Sequence, residues 1–120
     1  MNLAHPPLKV FKLVSASGTN ATVVKASPGA VYGWFMFNAD ALKDGIAHSA
    51  KLYDKASAPT VGTDTPLLTI ALPAGGGANV SIPQGVSFTK GIALAITDGP
   101  TDAETGGVQA NEVVVNLFYT

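Results

Sequence analysis

The stretch Gly29-Ala-Val-Tyr-Gly-Trp-Phe-Met-Phe-Asn38 limits most strongly what this chain can fold into, because it holds the only Trp, three more aromatic residues and no charge. It is too short to cross a bilayer, and its aromatic and β-branched residues disfavour a helix. It therefore predicts a central strand covered on both faces. The rest of the chain must supply those covers.

With 120 residues the chain suits one domain with a single core. Hydrophobic residues make up 47% and charged ones 12%, which argues against disorder. So little charge hints at oligomerisation or assembly, against the plainer reading that many Ala and Gly residues inflate the hydrophobic count. All seven basic residues are Lys, spaced singly from Lys9 to Lys90 against eight acids, so no basic patch forms and no Arg can read guanine. Direct nucleic-acid recognition is not expected. Without Cys, disulfides and thiolate metal sites are excluded. Met1–Pro7 lacks the basic and apolar regions of a signal peptide, and no later run approaches membrane-spanning length. A product made soluble in a cytoplasm, with no membrane partner, is the expectation.

Taken in order, Met1–Pro7 reads as an extended arm stiffened by His5-Pro6-Pro7. Leu8–Val14 predicts a strand with a wet face, Ser15–Asn20 a turn, and Ala21–Ala26 a second short strand. Within the central run, Gly33 marks a bend or a close approach by another backbone. Ala39–Ala47 could form one helical turn capped by Asp40 and stopped at Gly45. His48–Lys55 alternates as a strand, with Ala50 and Leu52 on one face and Lys51, Tyr53 and Lys55 on the other. Ala56–Pro66 is a turn-rich connection, followed by a strand over Leu67–Leu72. Ala74–Gly77 lacks the Lys-Ser/Thr of a phosphate loop and reads as a flexible hairpin. Ala78–Ile82 and Val86–Thr89 read as short strands separated by a Pro83-Gln-Gly85 turn. In the strand Ile92–Thr97, small Ala93 and Ala95 oppose Ile92, Leu94 and Ile96, suggesting close contact with a partner strand or subunit. Asp98–Gly107 is a polar loop, and a closing strand from Val108 or Gln109 through Tyr119 puts Val113, Val115, Leu117 and Tyr119 on one side. Eight or nine short strands with Gly/Pro turns between them predict an all-β, single-domain antiparallel β-sandwich or jelly-roll-like barrel over 8–120, with 1–7 as an N-terminal arm.

Chemistry is thinly represented. The two histidines, His5 on the arm and His48 at a strand start, make a poor beginning for a triad or zinc site, and His48 reads as a surface or core-edge residue. An enzyme reading would turn on whether His48 lies beside a carboxylate in a cleft. Asp98, Asp102 and Glu104 put three carboxylates within reach of one cation, but their spacing fits no EF-hand and solvated turn acids are the default. No catalytic residue, cofactor or metal site is therefore expected. Assembly needs only exposed loops, sheet edges and small-residue faces.

Three segments, Lys51–Ile70, Gly85–Thr97 and Asn111–Tyr119, resemble small virion structural proteins of tailed bacteriophages, and Gly29–Asn38 does so more loosely. Among such proteins the resemblance first implies a capsid decoration, or cement, protein, a β-sandwich that sits as a trimer over junctions between capsid subunits. Its implied partners are the major capsid protein and itself as a homotrimer, at the capsid exterior of a virion made in a bacterial host cytoplasm. A tail, neck or head-fibre component is the alternative. For that role a carbohydrate or host receptor would stack on exposed aromatics among Tyr32, Trp34, Tyr53 and Tyr119. Neither reading brings catalytic residues. Candidate assembly contacts are His5, Pro6 and Pro7 on the arm, Pro59, Thr60 and Val61 in one loop, and Asp98, Asp102 and Glu104 in the other.

Overall fold

The computed structural model describes residues 7–40 and 45–120. Eight strands follow in order: β1 (Lys9–Val14), β2 (Thr22–Lys25), β3 (Gly29–Asn38), β4 (His48–Asp54), β5 (Leu68–Leu72), β6 (Gly77–Phe88), β7 (Ile92–Thr97) and β8 (Val113–Tyr119). Residues 41–44 of the helical turn expected at 39–47, and the arm residues before Pro7, lie outside the described residues.

Two four-stranded sheets form, β1-β8-β3-β6 and β2-β7-β4-β5, with every pairing antiparallel. The first strand pairs with the last, the second with the seventh, the third with the sixth and the fourth with the fifth. That is the order produced when a long hairpin bent between β4 and β5 is rolled up, so the sandwich is an eight-stranded jelly roll.

Alternation decides which side chains enter the core. Phe11, Leu117 and Trp34 align across the first sheet, with Val80 next to them on the edge strand and 38% exposed, and Leu13, Val115, Met36 and Ala78 form the next inward row. Opposite them the second sheet contributes Ala50 and Leu52 from β4, Ile70 and Leu72 from β5, and Ile92, Leu94 and Ile96 from β7. The two inner faces close one apolar cluster, which supplies most of the burial that drives folding.

Four expectations need correction. β3 is covered on one face only, because Phe35 and Phe37 point away from the core and are 53% and 46% exposed. Pro83-Gln-Gly85 does not end a strand. β6 runs through it on a sheet edge, where the missing proline donor is tolerated, and Ile82–Gly85 bulge out opposite Tyr32 between the Val86–Val31 and Ser81–Gly33 pairs. Ala74–Gly77 makes no hairpin, since it carries the chain from β5 in one sheet to β6 in the other. Lastly, the closing strand begins at Val113 rather than at Val108 or Gln109, Val108 making only an isolated bridge to Gly18, while Ala93 and Ala95 meet Tyr53 on the paired strand β4 together with Val61. Gly33 behaves as expected: its φ is +151°, and a Cβ there would overlap the Val80 carbonyl oxygen.

Candidate functional site

Two features carry functional weight, a surface and a cluster. The surface is the outer face of the first sheet. Its rows, read across β1, β8, β3 and β6, are Val10-Phe118-Gly33-Ser81, Lys12-Asn116-Phe35-Asn79 and Val14-Val114-Phe37-Gly77. Lys12 is the only charge in them. Phe35 and Phe118 meet edge to face with ring centroids 5.0 Å apart, which joins two of the three rows, and Val10, Val14, Phe35 and Phe37 are all exposed on this face.

The cluster lies at one end of the sandwich. Asp40 follows β3, Glu112 precedes β8, and Ala39 N–H donates to the Glu112 carbonyl at 2.8 Å, so the paired ends of two neighbouring strands hold the carboxylates together. His48 opens β4 in the opposite sheet. Its Nε2 faces Glu112 Oε1 at 2.5 Å and Asp40 Oδ2 at 3.3 Å, while Nδ1 faces Asp98 Oδ1 at 3.3 Å. Asp40, His48 and Glu112 are all buried, whereas the Asp98 side chain is half exposed. These residues, with Ile46, Gly107, Val108 and Gln109, line a cavity of about 160 Å³.

A buried polar frame sets the carboxylates in place. Asn38 donates from Nδ2 to the Ile46 and Leu72 carbonyls, both at 3.0 Å, and its Oδ1 accepts from Asp40 N–H at 3.0 Å. Ser15 Oγ accepts from the Glu112 and Val113 N–H groups at 3.0 Å and donates to the Gln109 carbonyl. Such satisfied networks hold a site rigid, because each buried group would otherwise lose hydration without replacement.

Placement of His48 overturns its reading as a surface or core-edge residue: it is 5% exposed and lies beside three carboxylates. No sequence spacing signals this, because Asp40, His48 and Glu112 meet only when β3 pairs β8 and β4 packs across from them. The loop acids, by contrast, do not form one cluster, since Asp98 parts from Asp102 and Glu104, which both act on Lys51. Asp98 turns to His48, and Glu104 Oε1 accepts Gly106 N–H at 2.9 Å. Asp102 acts instead on the ammonium of buried Lys51, which donates to the Thr101 carbonyl at 2.5 Å. The loop at 98–107 thus closes over a cation of the chain itself. Burial still lowers the Lys51 pKa, with Asp102 and Glu104 opposing that shift.

In the other loop Pro59 is buried, Thr60 is exposed, and Val61 is half-buried against Tyr53. Asp64 accepts from Lys55 Nζ at 2.5 Å and Thr60 N–H at 2.7 Å, and these bonds lower its pKa. Pro7 is exposed, while His5 and Pro6 lie outside the described residues. A sugar-stacking platform has lost two of its four aromatics, since Trp34 is 6% and Tyr53 1% exposed.

No family model matches the chain, and neither a curated protein nor a solved structure matches it. An antiparallel jelly roll with an apolar outer sheet face and a buried acid-histidine cluster is the class that fold and site define.

Proposed function

We propose that the chain is a structural protein of a tailed-phage particle, a decoration protein that trimerises and adheres to the outside of the head lattice built by the major capsid protein, and that the His48–carboxylate cavity, the arrangement an enzyme reading asks for, serves to hold the two sheets together rather than to turn over a substrate. The observation carrying this reading is the apolar outer face of the first sheet, which offers Val10, Val14, Phe35 and Phe37 to a second copy of the chain. Jelly rolls serve in viral capsid proteins but also in lectins and cupins, so the fold alone does not choose among them. The surface argues for adhesion. Each half-exposed Phe leaves about 100 Å² open, and covering it contributes roughly 2.5 kcal/mol. Binding only the assembled lattice would stabilise it by mass action.

Purified protein mixed with undecorated heads and imaged by cryo-electron microscopy provides the test, with sedimentation of the free protein alongside. Supporting results are density at lattice junctions and a trimer that dissociates in the double variant Phe35→Ser/Phe37→Ser. A strictly monomeric protein that leaves the heads bare would end the reading, and density only at the tail vertex would replace it with a tail or neck role.

A further inference from the structure

We propose that Asp40, His48 and Glu112 bind a divalent first-row transition cation of the zinc class, which pins the two sheets together at one end of the sandwich. One ligand atom from each residue lies within 4.8 Å of the other two. Zinc takes imidazole nitrogen at about 2.0–2.1 Å and carboxylate oxygen at about 2.0–2.2 Å, so tetrahedral ligands stand roughly 3.4 Å apart. The 3.3 Å between His48 Nε2 and Asp40 Oδ2 already has that spacing, and Glu112 at 2.5 Å needs to back away by about 1 Å as the ion enters.

The second observation is the state of His48. Its ring is buried, and the polar groups that face Nδ1 and Nε2 are carboxylates alone, with no backbone or other neutral group among the described residues satisfying either nitrogen. Nε2 is aimed between two carboxylates, and one N–H cannot serve both, whereas a cation can. Charge points the same way. Two buried carboxylates face an imidazole that can offer at most one positive charge, and Asp98 adds a third carboxylate at its far nitrogen. A divalent ion offsets that excess in a setting where burying anions is costly.

Asp98 has a separate part. Its Oδ1 stands 3.3 Å from Nδ1, where it can accept the ring proton and leave the Nε2 lone pair for the metal. That is the carboxylate-histidine-metal arrangement by which an outer carboxylate fixes the tautomer and raises ligand basicity. It makes Asp98 a positioning residue. The donor set also selects among ions, since one imidazole with two carboxylates suits zinc or manganese better than calcium, which prefers six to eight oxygens. At about 160 Å³ the cavity has room for an ion with its remaining waters and is smaller than the sites that hold drug-sized molecules.

The test uses the full chain after chelator treatment, titrated calorimetrically with ZnCl2, MnCl2 and CaCl2, with thermal melts in parallel. One equivalent of Zn²⁺ should bind, and the melting temperature should rise by about 10 °C at a hundredfold excess over Kd. His48→Gln and Glu112→Gln should abolish that rise, and Asp98→Asn should weaken binding about 10- to 100-fold. A readout on the unaltered protein guards against misfolded variants. In ¹⁵N-labelled protein, Zn²⁺ should shift the His48 Nε2 resonance while that of His5 stays in place. Failure to bind one equivalent of Zn²⁺, binding that survives in folded His48→Gln, preference for Ca²⁺, or a shift at His5 alone would each overturn the assignment.

Discussion

Two asparagines on neighbouring strands of one sheet should behave very differently when truncated. Asn38 is fully buried and makes three hydrogen bonds, to the Ile46 carbonyl, the Leu72 carbonyl and the Asp40 N–H, all at 3.0 Å. The bond to Leu72 crosses from the first sheet to the second. In Asn38→Ala each partner loses its bond inside the protein. At about 1 kcal/mol per bond, plus a share of the desolvation penalty for stranded groups, the loss should reach about 3–5 kcal/mol. For a domain whose whole stability is about 5–15 kcal/mol, that is a melting temperature lower by roughly 12–20 °C. Asn116 makes one exposed bond, from Nδ2 to the Phe35 carbonyl at 3.2 Å, and Asn116→Ala should stay within about 0.5 kcal/mol of the parent. Urea titration followed by the fluorescence of Trp34, the sole and buried Trp, measures both. The denaturation midpoint should fall for Asn38→Ala at an unchanged slope. Equal midpoints for the two variants would refute the claim that the Asn38 frame ties the sheets together.

Three further outcomes are expected. Asp54 has its pKa lowered to about 2, chiefly by the Lys90 N–H, with Thr89 and Gly91 adding bonds. Because the folded value lies below the unfolded one, its contribution is present above pH 3.8 and is lost as pH falls toward 2. Asp54→Asn should therefore cost about 1 kcal/mol at pH 7, and the gap should shrink in urea titrations at pH 2. Burial lowers the Lys51 pKa, so the folded state holds that proton less tightly than the unfolded chain and stability rises with pH as the folded value is passed, up to 10.5. Lys51→Met should flatten that rise but, by stripping the Thr101 carbonyl and the loop acids of their cation, should cost about 1–3 kcal/mol at pH 7, and an unchanged midpoint would contradict it. Gly33→Ala should cost about 2 kcal/mol or more in the same assay, since the Val80 carbonyl occupies the space a Cβ needs.

The sequence by itself determined the short-range pattern. Residue parity in Val113-Val-Val-Asn-Leu-Phe-Tyr119 and in Ile92-Ala-Leu-Ala-Ile-Thr97 sorted the side chains into two opposite faces, because successive residues of a strand point to opposite sides whatever lies around them, although both faces of Ile92–Thr97 turn out to be covered. Gly33 was legible for the same local reason, since a glycine inside an apolar strand marks a place where a Cβ will not fit. What covers a face was decided elsewhere. Phe35 and Phe37 looked buried because their neighbours are apolar, yet a sandwich of two layers leaves each sheet one open side. Ala93 and Ala95 looked ready for a partner and were covered by Tyr53 and Val61. His48 shows the division most sharply. Its carboxylates come from positions 40, 98 and 112, brought together by the β3–β8 pairing, the loop after β7 and the packing of one sheet on the other. Pairing and layering join residues far apart along the chain, so their consequences for burial and charge exist only in the tertiary structure.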